Sequence, residues 1–111
     1  MAHILRGEIY WADLNPVKAK EPAALRPVLI LSNDHFNGRS GTVVALAITC
    51  RPQKAGFPLT LPLPQETLAQ SAWVKLSQIR TISVERLGKR LAAIDSEELA
   101  RILDSLIELI T

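Results

Sequence analysis

A mainly β fold, a small barrel finished by one C-terminal amphipathic helix, is predicted by three features of the 111-residue chain. Up to about residue 94 it breaks into short apolar or alternating runs separated by Gly, Pro, Asn and Asp, the punctuation of strands and turns. Two runs, Pro27–Asn33 and Thr42–Thr49, are almost continuously apolar, as in central strands covered on both faces. Beyond Asp95 the apolar residues repeat with a helical period.

The first strand is read in GEIYWADL (7–14), rich in aromatic and branched residues and ended by the turn signal Asn15-Pro16. A polar loop with Lys18, Lys20, Glu21 and Pro22 leads to Pro27–Asn33, and DHFNGRSG connects that strand to Thr42–Thr49 with room for a single helical turn. Residues 51–64 hold four of the seven prolines, so this stretch predicts a loop and an edge strand, where a missing ladder donor is tolerated. SAWVKL (71–76), IRTISV (79–84) and KRLAAI (89–94) complete the β portion, with a turn expected at Gly88. In the helix, Leu99, Ile102, Leu103, Leu106, Ile107 and Ile110 make one stripe that packs on the barrel or on a partner. Asp95 is placed to cap its first turn, with Glu98 at the capping-box position.

The bulk numbers predict one domain over 1–111, large enough for a core without staples. Cys50 is the only cysteine, so no internal disulfide can form, and His3, His35 and Cys50 lack the spacing of a zinc set. Neither a metal nor a cofactor is implied. No apolar run approaches a membrane span, and MAHILRGE lacks the hydrophobic stretch of a secretion signal, so a cytoplasmic location is expected. The formal charge of +2 hides an asymmetry: residues 1–94 carry +6 and the segment from Asp95 carries −4. A basic body suits an anionic ligand, although charge also drifts along many chains without purpose.

The chain has no glycine-rich phosphate loop, no nucleophile with an evident histidine base and no acidic cluster for magnesium. An enzyme built from it works with guanidinium, ammonium and hydroxyl groups. RNA cleavage permits that, because the ribose 2′-OH is the nucleophile and the protein orients it and stabilises the phosphorane charge. If the two apolar runs pair as an antiparallel hairpin with Asn33 opposite Thr42, Arg26 falls opposite Thr49, with β-carbons roughly 5 Å apart. A guanidinium beside a hydroxyl at a sheet end is a plausible phosphate grip. Taken alone, an arginine before proline and a threonine at a strand end are also commonplace.

RGEIYWADLNP (6–16), RPVLILSND (26–34), VVALAITC (43–50) and QIRTI (78–82) resemble, in order and spacing, the successive signature segments of the MazF/PemK toxins. The resemblance implies an SH3-like barrel with a C-terminal helix, as in the MazF/CcdB-type toxin fold, and a homodimer. It implies sequence-selective, metal-independent cleavage of single-stranded RNA, typically mRNA, to a 2′,3′-cyclic phosphate and a 5′-hydroxyl, and neutralisation by a cognate antitoxin. The family's catalytic arginine and threonine match Arg26 and Thr49. Positions that contact RNA in similar toxins match Glu21, Lys54, Phe57, Lys75, Ser77 and Gln78. Phe57 is equally readable as packing and the two lysines as solvated surface.

Trp11 and Trp73 read as core or dimer surface, Arg80 and Asn33 as structural, and Cys50 as partly buried beside the site. Two departures stand out. The loop KAKEPAAL (18–25) has Pro22, Ala23 and Ala24 where relatives are glycine-rich, so it is stiffer. Ser77 stands where relatives often carry an acid. Two other readings stay open: a binding homologue without activity, and a CcdB-like toxin that binds gyrase. The ending Leu109-Ile110-Thr111 lacks the Trp-Gly-Ile on which that toxin relies.

Overall fold

The computed structural model describes residues 3–14, 25–54, 56 and 59–111. Its elements are β1 (Glu8–Asp13), β2 (Leu25–Ile30), α1 (Asp34–Ser40), β3 (Thr42–Thr49), β4 (Thr60–Pro62), β5 (Trp73–Ser83), β6 (Leu87–Ala93) and α2 (Ser96–Ile110), with a 3-10 turn at Val84–Arg86. The strands form one antiparallel sheet in the order β4-β5-β3-β2-β1-β6. This is the mainly β architecture with a terminal helix that the sequence predicts.

The unbroken apolar character of β2 and β3 follows from their central places in that order. Successive strand side chains point to opposite faces. Ile9, Leu29, Leu46 and Ile48 join the cluster that contains Ile102 and Leu106 of α2. Tyr10, Ala12, Val28, Ile30, Val43 and Ala45 belong to a second buried cluster with Ile82. Both faces of these strands are therefore dry. The proline-containing strand β4 lies at an edge, as expected.

Several boundaries differ from the sequence reading, each for a local reason. The runs 71–76 and 79–84 are one continuous strand, β5, because an irregularity in its pairing with β3 absorbs the residues between them. The connection before β3 is a seven-residue helix rather than a single turn. Asn33 caps it by accepting from the Phe36 N–H at 2.9 Å, and Gly41 ends it at φ +70°, a conformation that glycine adopts freely. Asn37 anchors the same helix from inside. Its Nδ2 donates to the carbonyls of Ile4 at 2.8 Å and Ser32 at 3.1 Å. Gly88 lies within β6, not in a turn; a β-carbon there would sit 3.6 Å from that of Trp11, so glycine lets β6 run close against β1.

Asp95 caps α2 as expected, accepting from the Glu98 N–H at 2.8 Å. Glu98 pairs with Arg101 rather than reaching back, so the capping box is half made. Arg101 also donates to the carbonyl of Pro62 at 3.0 Å, tying the helix to β4. The buried face of α2 is centred on Ile102 and Leu106, with Leu109 packed beside them. Ile107 is 55% exposed and Ile110 72%, so these two expected stripe members lie outside the core. Each helical residue turns about 100°, which carries Ile107 off the face that holds Leu106.

β1 and β6 are joined by a buried carboxylate. Glu8 accepts from Arg90 Nε at 2.6 Å, from the Tyr10 hydroxyl at 3.0 Å and from the Leu5 N–H at 2.7 Å. Burial acts to raise the Glu8 pKa. The donors at Leu5, Arg90 and Tyr10 outweigh it and hold the carboxyl below its ordinary value. Burial and the neighbouring carboxylate together push the Tyr10 hydroxyl up. No helix among the described residues is long and apolar enough to cross a membrane.

Candidate active site

The site begins with a register. β2 pairs with β3 through Val28–Ala47, Leu29–Leu46 and Ile30–Ala45, the frame predicted from the sequence. Continued two positions further, that frame sets Arg26 opposite Thr49. Pro27 follows Arg26 and opposes Trp11 of β1; a proline restricts the preceding residue to extended backbone, which keeps Arg26 in the strand. Arg26 and Thr49 both line a cleft of about 650 Å³ at this end of the sheet.

β5 supplies a second wall through its irregularity. Between the pairs Leu46–Ile79 and Ile48–Val74, β3 has only Ala47, whereas β5 has Lys75, Leu76, Ser77 and Gln78. Such extra residues re-aim side chains. Leu76 turns fully into the core and its N–H donates to the carbonyl of Leu59 at 2.9 Å. Lys75 and Gln78 line the cleft.

The cleft thus unites four of the expected site residues: Arg26, Thr49, Lys75 and Gln78. Ser77 and Lys54 are exposed but are not part of its lining. Glu21 and Phe57 lie outside the described residues. Cys50 lies beside the site as expected, but is exposed rather than partly buried, and Trp11, read as core or dimer surface, borders the cleft. Arg51 adds a second guanidinium beside Thr49. Its place two residues beyond a strand-terminal threonine is the signal that marks it. Threonine hydroxyls accept from the N–H two positions on in such turns, and the Arg51 N–H donates to Thr49 Oγ1 at 3.2 Å. Gln53 Nε2 closes the same turn by donating to the Arg51 carbonyl at 2.8 Å.

The electrostatics are one-sided. Arg26, Arg51 and Lys75 face the cleft, and no described lining residue is acidic. Among the described residues none of these three side chains has an ion-pair partner. Unpaired guanidinium groups beside a hydroxyl are chemically suited to gripping a phosphodiester, because a guanidinium donates in a planar fork that matches two phosphate oxygens.

The chain has the fold of the MazF toxins. It superposes on a crystal structure of MazF from Deinococcus radiodurans with a TM-score of 0.81 at 27% identity, covering 99% of this chain and 98% of that one. A MazE–MazF structure from the same organism gives 0.81 at 26% identity, covering 98% of this chain and 97% of that one. In sequence it is 34% identical over 105 residues to Endoribonuclease EndoA of Bacillus subtilis (strain 168), covering 93% of this chain and 90% of the relative. The family described as PemK-like, MazF-like toxin of type II toxin-antitoxin system matches residues 5–110, and the chain belongs to that family.

Proposed function

We propose that the chain is a sequence-selective endoribonuclease that cuts single-stranded RNA, mRNA above all, in the cleft between Arg26 and Thr49. The observation that carries the reading is the convergence of these two side chains in an open, cationic cleft. Its support from outside the chain is the Bacillus subtilis relative, itself named an endoribonuclease.

In the reaction, the 2′-oxygen attacks the adjacent phosphorus and gives up its proton. The bond from phosphorus to the 5′-oxygen breaks, a proton is delivered to that oxygen, and the products carry a 2′,3′-cyclic phosphate and a 5′-hydroxyl. Negative charge on the phosphorane is greatest midway. Arg26 clamps the phosphate, stabilises that charge and stands near the leaving oxygen. Thr49 donates to a non-bridging oxygen. A guanidinium offers N–H donors and no acceptor, so Arg26 acts as a donor and not as a base. Lys75 draws the backbone into the cleft, and Gln78 offers both a donor and an acceptor to a base edge. Lys54 and Ser77 meet RNA further out, with Glu21 reading a base and Phe57 stacking on one.

The same reading includes a single toxin domain that acts as a cytoplasmic homodimer and is neutralised by a cognate antitoxin. Leu25 and Ile79 near the cleft, and Ile107 and Ile110 on α2, leave apolar surface for a second copy to cover. Sedimentation at micromolar concentration is expected to give a dimer, and a monomer would contradict this part. The activity is tested by incubating purified protein with a long single-stranded RNA in EDTA. Defined fragments that vanish with Arg26→Ala support the reading, and RNA left intact by the unsubstituted protein refutes it.

A further inference from the structure

We infer that the shallow groove at Arg80 is a second anion subsite, which holds a backbone phosphate of the same RNA strand outside the step being cut. The inference rests on the reading of the main cleft as an RNA-cleaving centre. The groove has a volume of about 180 Å³ and is lined by Asp13, Leu14, Arg80, Thr81, Ser83 and Arg86 among others. Leu14 also lines the main cleft, so the two concavities adjoin.

The side chains in the groove divide the work. Arg86 is held in the wall, where its Nη1 donates to the Asp13 carbonyl at 3.2 Å. Asp13 is likewise engaged within the fold. The Arg80 side chain is exposed and has no hydrogen-bond or ion-pair partner among the described residues. Two guanidinium groups against one carboxylate leave the groove net cationic, with Arg80 as its available fork. This departs from the expectation that Arg80 ties the sheet together.

Sheet register relates the groove to the cleft. Arg80 pairs with Ala45, and Ala45 with Ile30. Cross-strand partners share a face, as do residues four apart on one strand, so Arg80 and Arg26 share a face of the sheet. They are separated by about 13 Å along the strand direction and two strand spacings of about 4.8 Å across it. One phosphate does not reach both; a strand of several nucleotides does. A lone surface cation elsewhere would only add to the general field, whereas this one lies in a groove that adjoins the cleft.

Length dependence is the test. Once the cleavage step has been mapped on a long RNA, a trinucleotide spanning it is compared with a strand of about a dozen nucleotides, a typical single-strand site size. For Arg80→Ala the ratio of kcat/KM on the long strand to that on the short one is expected to fall by about tenfold. Arg80→Lys should restore most of it. A long strand bearing one 2′-deoxy residue at the step should bind the Ala variant about tenfold more weakly, with the salt dependence of log Kd reduced by roughly one phosphate contact. Thermal melting of both variants at the midpoint of the unsubstituted protein shows that the fold is intact. Equal losses on long and short strands, or none on either, would overturn the inference while leaving the cleavage reading standing; the latter is also the result expected if the groove serves an acidic peptide. Failure of the unsubstituted protein to cut any RNA overturns the cleavage reading and this inference with it.

Discussion

The backbone N–H of Arg51 donates to Oγ1 of Thr49 at 3.2 Å. The hydroxyl oxygen is thereby an acceptor toward its own turn, and its proton is left to point at an oxygen held in the cleft. Thr49→Ser keeps both roles and is expected to stay within about tenfold of the parent activity. Thr49→Val keeps the shape and removes the donor, which should lower kcat by on the order of 100-fold, the loss typical of a single oxyanion donor. A change confined to KM would show that the hydroxyl serves binding alone.

Arg51 provides a separate prediction. Its guanidinium lines the cleft, but the turn uses only its backbone. Arg51→Ala should leave the fold unchanged, raise KM for RNA about 3- to 10-fold and flatten the salt dependence of binding by roughly one contact. Steady-state kinetics at two salt concentrations decides it. An unchanged KM would mean that the side chain points away from the strand.

Glu8 links stability to pH. Its carboxyl pKa is lowered in the folded state, so it stabilises the fold above the ordinary glutamate value of about 4.3, and that contribution is lost as pH falls through the folded pKa. Glu8→Gln retains acceptors for Leu5 and Tyr10 but not the charge that meets Arg90, and should cost about 1–3 kcal/mol at neutral pH. Thermal melts of the two proteins should converge as pH falls through the lowered folded-state pKa of Glu8, since the parent then loses the same charge. A constant gap across that range would contradict the assignment.

Asn37 is the predicted weak point of the segment before β3. Asn37→Ala leaves the carbonyls of Ile4 and Ser32 without their donor and the Ser32 hydroxyl without its acceptor. The expected loss is about 2–3 kcal/mol, read from urea unfolding with an unchanged m-value. Activity on RNA below the melting transition should be retained, because the residue lies in α1 and not in the cleft.

Periodicity makes the strands and the terminal helix legible, and a constant-sum register sets Arg26 opposite Thr49 from the sequence alone. β2 and β3 follow one another in the sequence, so one correct pair fixes the register of the rest. What escaped the sequence depends on non-local geometry. The irregular pairing between Ala47 and residues 75–78 re-aims Lys75 and Gln78, yet no turn residue marks it. Burial of Asn37 depends on the carbonyl of Ile4, far away in the chain. The helical stripe was visible, but its edge was not: amphipathic spacing assigns Ile107 and Leu106 to one face, and only the packed sheet separates them. Arg51 lies in a proline-containing stretch with no periodicity, so nothing in the sequence alone orients its side chain toward the cleft.

The most direct measurement uses two otherwise identical oligonucleotides, one all-ribose and one with a single 2′-deoxy residue on the 5′ side of the mapped cleavage step. With a ribose nucleophile and an Arg26–Thr49 grip, the all-ribose strand is cut in EDTA to a cyclic phosphate and a 5′-hydroxyl, the deoxy strand is bound but uncut, and Arg26→Ala cuts neither. Cleavage of the deoxy strand, or a 5′-phosphate on the product, would contradict the account.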